Sequence, residues 1–237
     1  MKNEWVILFD IGGVILEEEV AYKRYLDEVV YPCLKEAFPS LNQSEFGNIV
    51  RDSIMSFVPG LISSIVWRLC ALDQEKFREL KNSIAQRTKE LEESVERILV
   101  DGIKGLMREI SGEYTLSLAG NAKGSIREVL MNYGLLEYFE HTLVSEDLCV
   151  SKPDTRFFMH YLDVFKIAPS RCIMIGDRLD NDIIPAKRLG LRTIWFRRGM
   201  YSILSPRNPG EIPDQTVSNS IELRNAIKKI TEEEVSA

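Results

Sequence analysis

The hydrophobic pattern changes period twice along this chain. Trp5–Phe9 (WVILF) is an unbroken apolar run with no alternation, which suits a strand buried on both faces of a parallel sheet. From about Glu17 to Arg108 strand signals stop. Tyr22, Tyr25, Leu26, Val29 and Val30 recur at helical spacing, as do Phe77, Leu80 and Ile84, then Leu91, Val95, Ile98 and Leu99. Breaks at Pro39, at Pro59-Gly60 and near Asp73 divide this stretch into about four or five helices.

After Gly112 strand and helix alternate. Thr115–Ala119, Thr142–Val144, Cys172–Ile175 and Thr193–Phe196 read as strands, separated by helices at Ser125–Asn132, Arg156–Phe165 and Ile183–Leu189. The pattern predicts an α/β fold, a right-handed, doubly wound parallel sheet with an inserted all-helical domain. Trp5–Phe9 should lie near the centre of the sheet, with Thr115–Ala119 on one side and Cys172–Ile175 on the other. The expected division is residues 1–16 and 97–237 for the core and 17–96 for a helical lid. In such sheets ligands bind beyond the carboxyl ends of the strands. Asp10, Asn121 and Asp177 fall just past strand ends, and Lys152 falls in a loop after the short third strand. The polar tail from Thr231 is expected to fray.

Composition narrows the class. Apolar residues at 45% and charged residues at 28% suit a soluble globular protein. A net charge of −6, with no useful Lys/Arg run, argues against a nucleic-acid surface. The apolar stretches Trp5–Leu16 and Val58–Leu72 fall short of the ~20 residues needed to cross a bilayer. The start Met-Lys-Asn-Glu-Trp lacks the pattern of a signal peptide, so a cytoplasmic protein is expected, with no membrane partner. Cys33, Cys70, Cys149 and Cys172 show neither CxxC spacing nor a nearby His. Cys70 and Cys172 read as core residues, and no disulfide or zinc site is expected.

The candidate chemistry lies in three motifs: VILFDIGGV, SKPD and IMIGDRLDND. Asp10 would be costly to bury unless a cation or metal pairs with it. The glycines that follow let the backbone turn sharply. Asp177, Asp180 and Asp182 repel one another unless a cation gathers them. Oxygen ligands from Asp10 and Asp177 suit Mg2+. Asp182 reads equally as a helix cap or as support behind the metal ligands. Lys152, before Pro153, is held extended and can neutralise an acidic crevice. A carboxylate nucleophile, an ammonium and a metal-type carboxylate are the parts needed to attack a phosphate.

Together these segments resemble the haloacid dehalogenase superfamily, most of whose members are Mg2+-dependent phosphatases. The resemblance covers essentially the whole chain. DIGGV is similar to that family's first motif, LAGNA to the second, SKPD to the third and GDRLDND to the fourth. Residues 17–96 match the place of its helical cap, and the core would be Rossmann-like. The resemblance implies that Asp10 forms an aspartyl-phosphate and that Lys152 steadies it. It also implies that Asp177 binds Mg2+ together with Asp10 and the Gly12 carbonyl. Gly120 and Asn121, with Lys152, would hold the phosphate of a small-molecule phosphate ester, in a monomer or homodimer.

Two departures from the family stand out. Its phosphatases usually carry a second Asp two residues after the nucleophile, here Gly12, which protonates the departing alkoxide. Losing it removes acid–base help worth about 10²–10⁴ in rate. The second motif normally has Ser or Thr where this chain has Gly120, so a phosphate hydrogen bond is lost. Three readings follow: a phosphohydrolase whose acid is compromised or moved to Glu17, Glu18 or Glu19; a metal-independent 2-haloacid dehalogenase; or a phosphate-ligand binder without turnover. As helix-start residues, those three glutamates also read as solvated. Relatives that cleave carbon–phosphorus bonds place a small residue at the Gly12 site and use a cap lysine, for which Lys23 and Lys35 are available.

Overall fold

Five short strands form one parallel sheet in the order β2-β1-β3-β4-β5. They are β1 (Val6–Phe9), β2 (Thr115–Leu118), β3 (Cys172–Gly176), β4 (Arg192–Phe196) and β5 (Gln215–Val217). The computed structural model of the protein describes residues 4–58, 60–92 and 97–233. Pro59, Val95 and the last four residues of the expected fraying tail lie outside the described residues.

The unbroken apolar run at β1 has a direct cause. Trp5, Ile7 and Phe9 enter one core with Leu116, Leu118, Ile173, Ile175, Ile194 and Phe196. Val6 and Leu8 enter a second core with Cys172 and Met174. Both faces are therefore dry, and neither half of the strand's alternation can be polar. Helices Ile103–Ile110 and Ser220–Glu233 supply Leu106, Met107, Ile110, Leu223, Ile227 and Ile230 to the first core. Helix Thr155–Phe165 supplies Phe157, Phe158 and Tyr161 to the second. No element is expected at β5 or over residues 220–230, whereas residues 231–233, expected to fray, continue the helix Ser220–Glu233, with Thr231 buried and its Oγ1 3.2 Å from Tyr114 Oη.

The chain divides into two compact units: Met1–Glu17 with Arg97–Ala237, and Glu18–Glu96. Within the first of these, the Glu17 amide donates to Ile98 O at 2.7 Å. The second unit is helical, with helices at Glu19–Tyr25, Tyr31–Ala37, Gln43–Met55, Leu61–Cys70 and Gln74–Glu92. A π-helical turn, Leu26–Val30, joins the first two. Leu26, Val29, Val30, Leu80 and Ile84 are buried, as their spacing required. Ile98 and Leu99 depart from the helical reading: Leu16 and Leu99 form an antiparallel bridge instead.

Thr142–Val144 is not a strand. A single bridge links Ser117 to His141, and the backbone groups beyond it are taken by side chains. Arg127 Nη1 donates to Thr142 O (3.2 Å), Tyr161 Oη donates to Leu143 O (3.2 Å), and the Val144 amide donates to Asp147 Oδ2 (2.9 Å). A segment whose hydrogen bonds are met this way has no ladder to join. The helical run after β3 also begins earlier than Ile183, with a π-turn over Leu179–Ile183 that leads into helix Ile184–Arg188.

The segment from Thr142 to Met159 carries Lys152, and its base is fastened by a histidine contact. His141 Nε2 and His160 Nε2 lie 3.2 Å apart. Burial lowers the His141 pKa below its ordinary value, the His160 charge lowers it further, and Asp147 opposes both. A histidine with a depressed folded pKa contributes stability that is intact above the unfolded value of about 6.5 and is lost as pH falls below it. Asp182, which burial raises, works the other way, so the readout is a difference between variants. Urea midpoints at about pH 7.5 and about pH 5.5 should fall more for the native chain than for His141→Gln. An equal fall in both would remove His141 as the cause.

Candidate active site

The strand register fixes this site. Asp10 directly follows β1, and its amide donates to Ile175 O at 2.9 Å, while the Ala119 amide donates to Phe9 O at 2.8 Å. The carboxyl ends of β2, β1 and β3 therefore finish at one level. That level carries Asp10, Gly120-Asn121 and Asp177.

Lys152 reaches this level from its loop. Its Nζ lies 2.8 Å from Asp10 Oδ1 and 2.6 Å from Asp182 Oδ1, with no side-chain exposure. Burial alone would lower the lysine pKa, but the charges and hydrogen bonds of Asp10 and Asp182 outweigh it, and the net direction is up. Burial also raises Asp182, against the pull of Lys152. The lysine is thus held as an ammonium. Its backbone is gripped by one side chain: Asn121 Oδ1 accepts from Lys152 N (2.8 Å), and Asn121 Nδ2 donates to Lys152 O (2.9 Å). The Lys152–Pro153 peptide is cis.

Asp177 follows β3. Its carbonyl accepts from Trp195 Nε1 at 2.8 Å, and Trp195 faces Gly176 across the β3–β4 register. Gly13 has φ +70°, and a Cβ there would stand 2.5 Å from Asp177 Oδ2. The turn after Asp10 therefore presses bare backbone against that carboxylate, which a side chain would prevent. Asp182 lies inside the helical run and is fully buried. Its Oδ2 accepts from the Arg178 amide at 3.0 Å while Oδ1 meets Lys152, and Asp182 does not cap the helix Ile184–Arg188, whose start has no side-chain cap. Asp180 turns away to pair with Arg178 at 2.6 Å.

Carboxylate oxygens of Asp10, Asp177 and Asp182 lie within 4.8 Å of one another. Three ionised carboxylates beside one ammonium leave two negative charges in a largely buried site, which a divalent oxygen-loving cation would neutralise. The residues present fit Mg2+. Gly12 lies in the turn between Asp10 and Leu16, where Gly12 and Leu16 form a bridge.

Of the other sequence candidates, Glu17 and Lys35 have partners of their own. Glu17 Oε1 meets Arg198 Nη2 at 2.5 Å, while Glu18 and Glu19 are exposed at the start of helix Glu19–Tyr25. Lys35 donates to the carbonyls of Pro39 and Leu41, both at 2.7 Å, closing the end of its own helix, and Lys23 is exposed. Cys33, Cys70 and Cys172 are buried, Cys149 is exposed, and all four are free. Among the described residues no helix is long and apolar enough to cross a membrane. Two contacts were not visible in the motifs. Trp195 anchoring Asp177 depends on strand register, and Ile11 filling the space beside Gly120 depends on packing.

Residues 7–196 match the family described as haloacid dehalogenase-like hydrolase. Over 106 residues the chain is 31% identical to glyceraldehyde 3-phosphate phosphatase of Methanopyrus kandleri, covering 45% of this chain and 46% of that protein. Phosphoserine phosphatase of Thermus thermophilus is 36% identical over 93 residues, 39% of this chain and 36% of its own length. The chain thus spans less than half the length of these curated relatives. Among solved structures, YfnB of Bacillus subtilis bound to magnesium is 21% identical with a TM-score of 0.63, covering 94% of this chain and 98% of that one. A 2-haloacid dehalogenase of Pseudomonas syringae is 19% identical with a TM-score of 0.56, covering 97% and 99%. At these identities the likeness is one of fold.

A Cβ on Gly120 would stand 2.5 Å from Ile11 Cδ1 and 2.8 Å from Ile11 Cγ1. Gly120→Ser should therefore cost about 1–3 kcal/mol by overpacking. In the Ile11→Val background, which frees Cδ1, the cost should shrink by more than about 0.5 kcal/mol. Urea unfolding of the four proteins checks this, and simple additivity would show that Ile11 does not exclude the hydroxyl.

Proposed function

This chain belongs to the haloacid dehalogenase-like hydrolase family, and on that premise we propose that it is a Mg2+-dependent hydrolase of a small phosphorylated metabolite. The single observation that carries the reading is the buried Lys152 ammonium 2.8 Å from Asp10 Oδ1, inside the three-carboxylate cluster. The phosphatase names of the curated relatives and the magnesium of YfnB support it. In this reading the helical unit is the source of substrate selectivity.

Asp10 acts as the nucleophile. Its carboxylate attacks phosphorus, the bond from phosphorus to the leaving oxygen breaks, and an aspartyl-phosphate forms. Lys152 neutralises Asp10 in the free protein, and in the reaction it would face the negative charge of the transferring phosphoryl group. The backbone N–H groups at Gly120 and the Asn121 grip on Lys152 complete the phosphate end. Asp10, Asp177 and the Gly12 carbonyl would hold Mg2+, which supplies charge neutralisation when bound. Water then attacks the aspartyl-phosphate, releasing phosphate and restoring Asp10. Asp182 acts as a positioning residue through Lys152.

Gly12 shapes the chemistry. Gly12 carries no carboxylate where the family's phosphatases usually place one, and Glu17 is committed to Arg198. The same gap fits a second reading, a phosphate-ligand binder that holds the group and does not turn it over.

Two measurements test the proposal. Mg2+ should raise the melting temperature of the native chain, and Asp177→Asn should abolish the rise, since one anionic ligand is lost. An equal rise in both would show that the ion binds elsewhere. On a panel of esters, aryl and acyl phosphates should be cleaved far faster than alkyl phosphates, because their leaving groups need no proton. Gly12→Asp should narrow that gap by speeding alkyl substrates. Equal rates on both classes in the native chain would mean that another acid serves. Phosphate binding without turnover would favour the binder, and halide release from a 2-haloacid that survives a chelator would favour a dehalogenase.

A further inference from the structure

The chain has two histidines, and the fold brings them together. His141 sits beside the edge strand β2, where its carbonyl accepts from the Leu118 amide at 3.0 Å and from Ser117 Oγ at 3.3 Å. His160 sits on the helix Thr155–Phe165. Their rings are 5.2 Å apart at 58°, so the Nε2 atoms approach edge to edge without stacking. Tyr161 and Phe165 wall the His141 ring, at 5.2 and 5.9 Å. The two residues come from separate elements, so this proximity is tertiary and not a feature of one helix.

We propose that His141 and His160 form a two-imidazole site for a divalent transition ion such as Zn2+ or Cu2+, clasping the base of the segment that carries Lys152. The Nε2–Nε2 separation of 3.2 Å is the bite that one ion requires. Two zinc–nitrogen bonds of about 2.0–2.1 Å, opened to between a right angle and the tetrahedral angle, place their nitrogens roughly 2.8–3.4 Å apart. Imidazole is a ligand that these ions favour over Mg2+. Both rings are only part-buried, which leaves water to fill the remaining positions. The neighbouring Asp147 carboxylate acts on His141 as a favourable negative charge, although its hydrogen bonds go to Arg127 and the Val144 amide.

Without the ion, one Nε2–H donates to the other Nε2. An ion on the two Nε2 atoms replaces that single hydrogen bond with two metal–nitrogen bonds, each neutral imidazole then carrying its proton on Nδ1. The segment between the two histidines runs from Thr142 to Met159, so a cross-link there fixes both ends of the stretch that presents Lys152. The site does not rest on the hydrolase reading, since the ligand atoms gathered in the carboxylate cluster are those of Asp10, Asp177 and Asp182 and include neither histidine.

Cu2+ paramagnetic resonance tests the proposal directly, because the carboxylate cluster offers only oxygen and the chain has no other imidazole. One equivalent of Cu2+ added to the tag-free chain should give nitrogen superhyperfine splitting from two imidazoles. His160→Gln should lose it, leaving at most one nitrogen. Zn2+ at a hundredfold excess over its dissociation constant should raise the native melting temperature by about 5–10 °C, and His160→Gln should lose most of that rise. An oxygen-only spectrum in the native chain would overturn the site. A Zn2+ shift that is undiminished in both His160→Gln and His141→Gln would overturn it equally.

Discussion

One buried ammonium organises the end of this fold at which strands β1, β2 and β3 finish. Lys152 has no side-chain exposure and stands between Asp10 and Asp182, at 2.8 and 2.6 Å. Taking three charged groups out of water is costly, and their mutual attraction offsets that cost only when the geometry is close. The surrounding structure reads as the means of keeping it close. Asn121 fixes the lysine backbone through two hydrogen bonds. Asp182 is fixed in turn by the Arg178 amide, and Asp10 by its ladder bond to β3. Each partner comes from a different strand end, so the sheet register and the ion cluster specify one another.

The same arrangement explains what departs from the family. Gly120 lacks a hydroxyl where Ile11, the residue after Asp10, occupies the space that a Cβ would need. That change is matched by packing. At Gly12 the change is of another kind: it removes a carboxylate, and Glu17, the next acid along the chain, is held by Arg198. On the proposed reading, the cluster keeps the charge-neutralising half of a phosphoryl-transfer site and Gly12 leaves out its proton-delivering half.

Local signals made much of this legible. The non-alternating run at β1, the glycines after Asp10 and the SKPD and GDRLDND motifs each carry their meaning within a few residues, and a parallel sheet forces their strand ends together. What was not legible depends on partners far along the chain. Thr142–Val144 looks like a strand by composition, yet Arg127, Tyr161 and Asp147 take its backbone hydrogen bonds. Ile98 and Leu99 fit a helical period, but Leu99 instead bridges Leu16. Trp195 reads as a core aromatic, and only its register opposite Gly176 aims the indole at the Asp177 carbonyl.

A double-mutant cycle on Lys152 and Asp182, followed by urea unfolding, tests the central claim most directly. Lys152→Met leaves two carboxylates buried without their cation and should cost about 3–5 kcal/mol. Adding Asp182→Asn to Lys152→Met should recover at least about 1 kcal/mol of that loss, because the second uncompensated charge is gone. A Lys152→Met protein within about 1 kcal/mol of the native chain, or strictly additive effects of the two substitutions, would contradict the account.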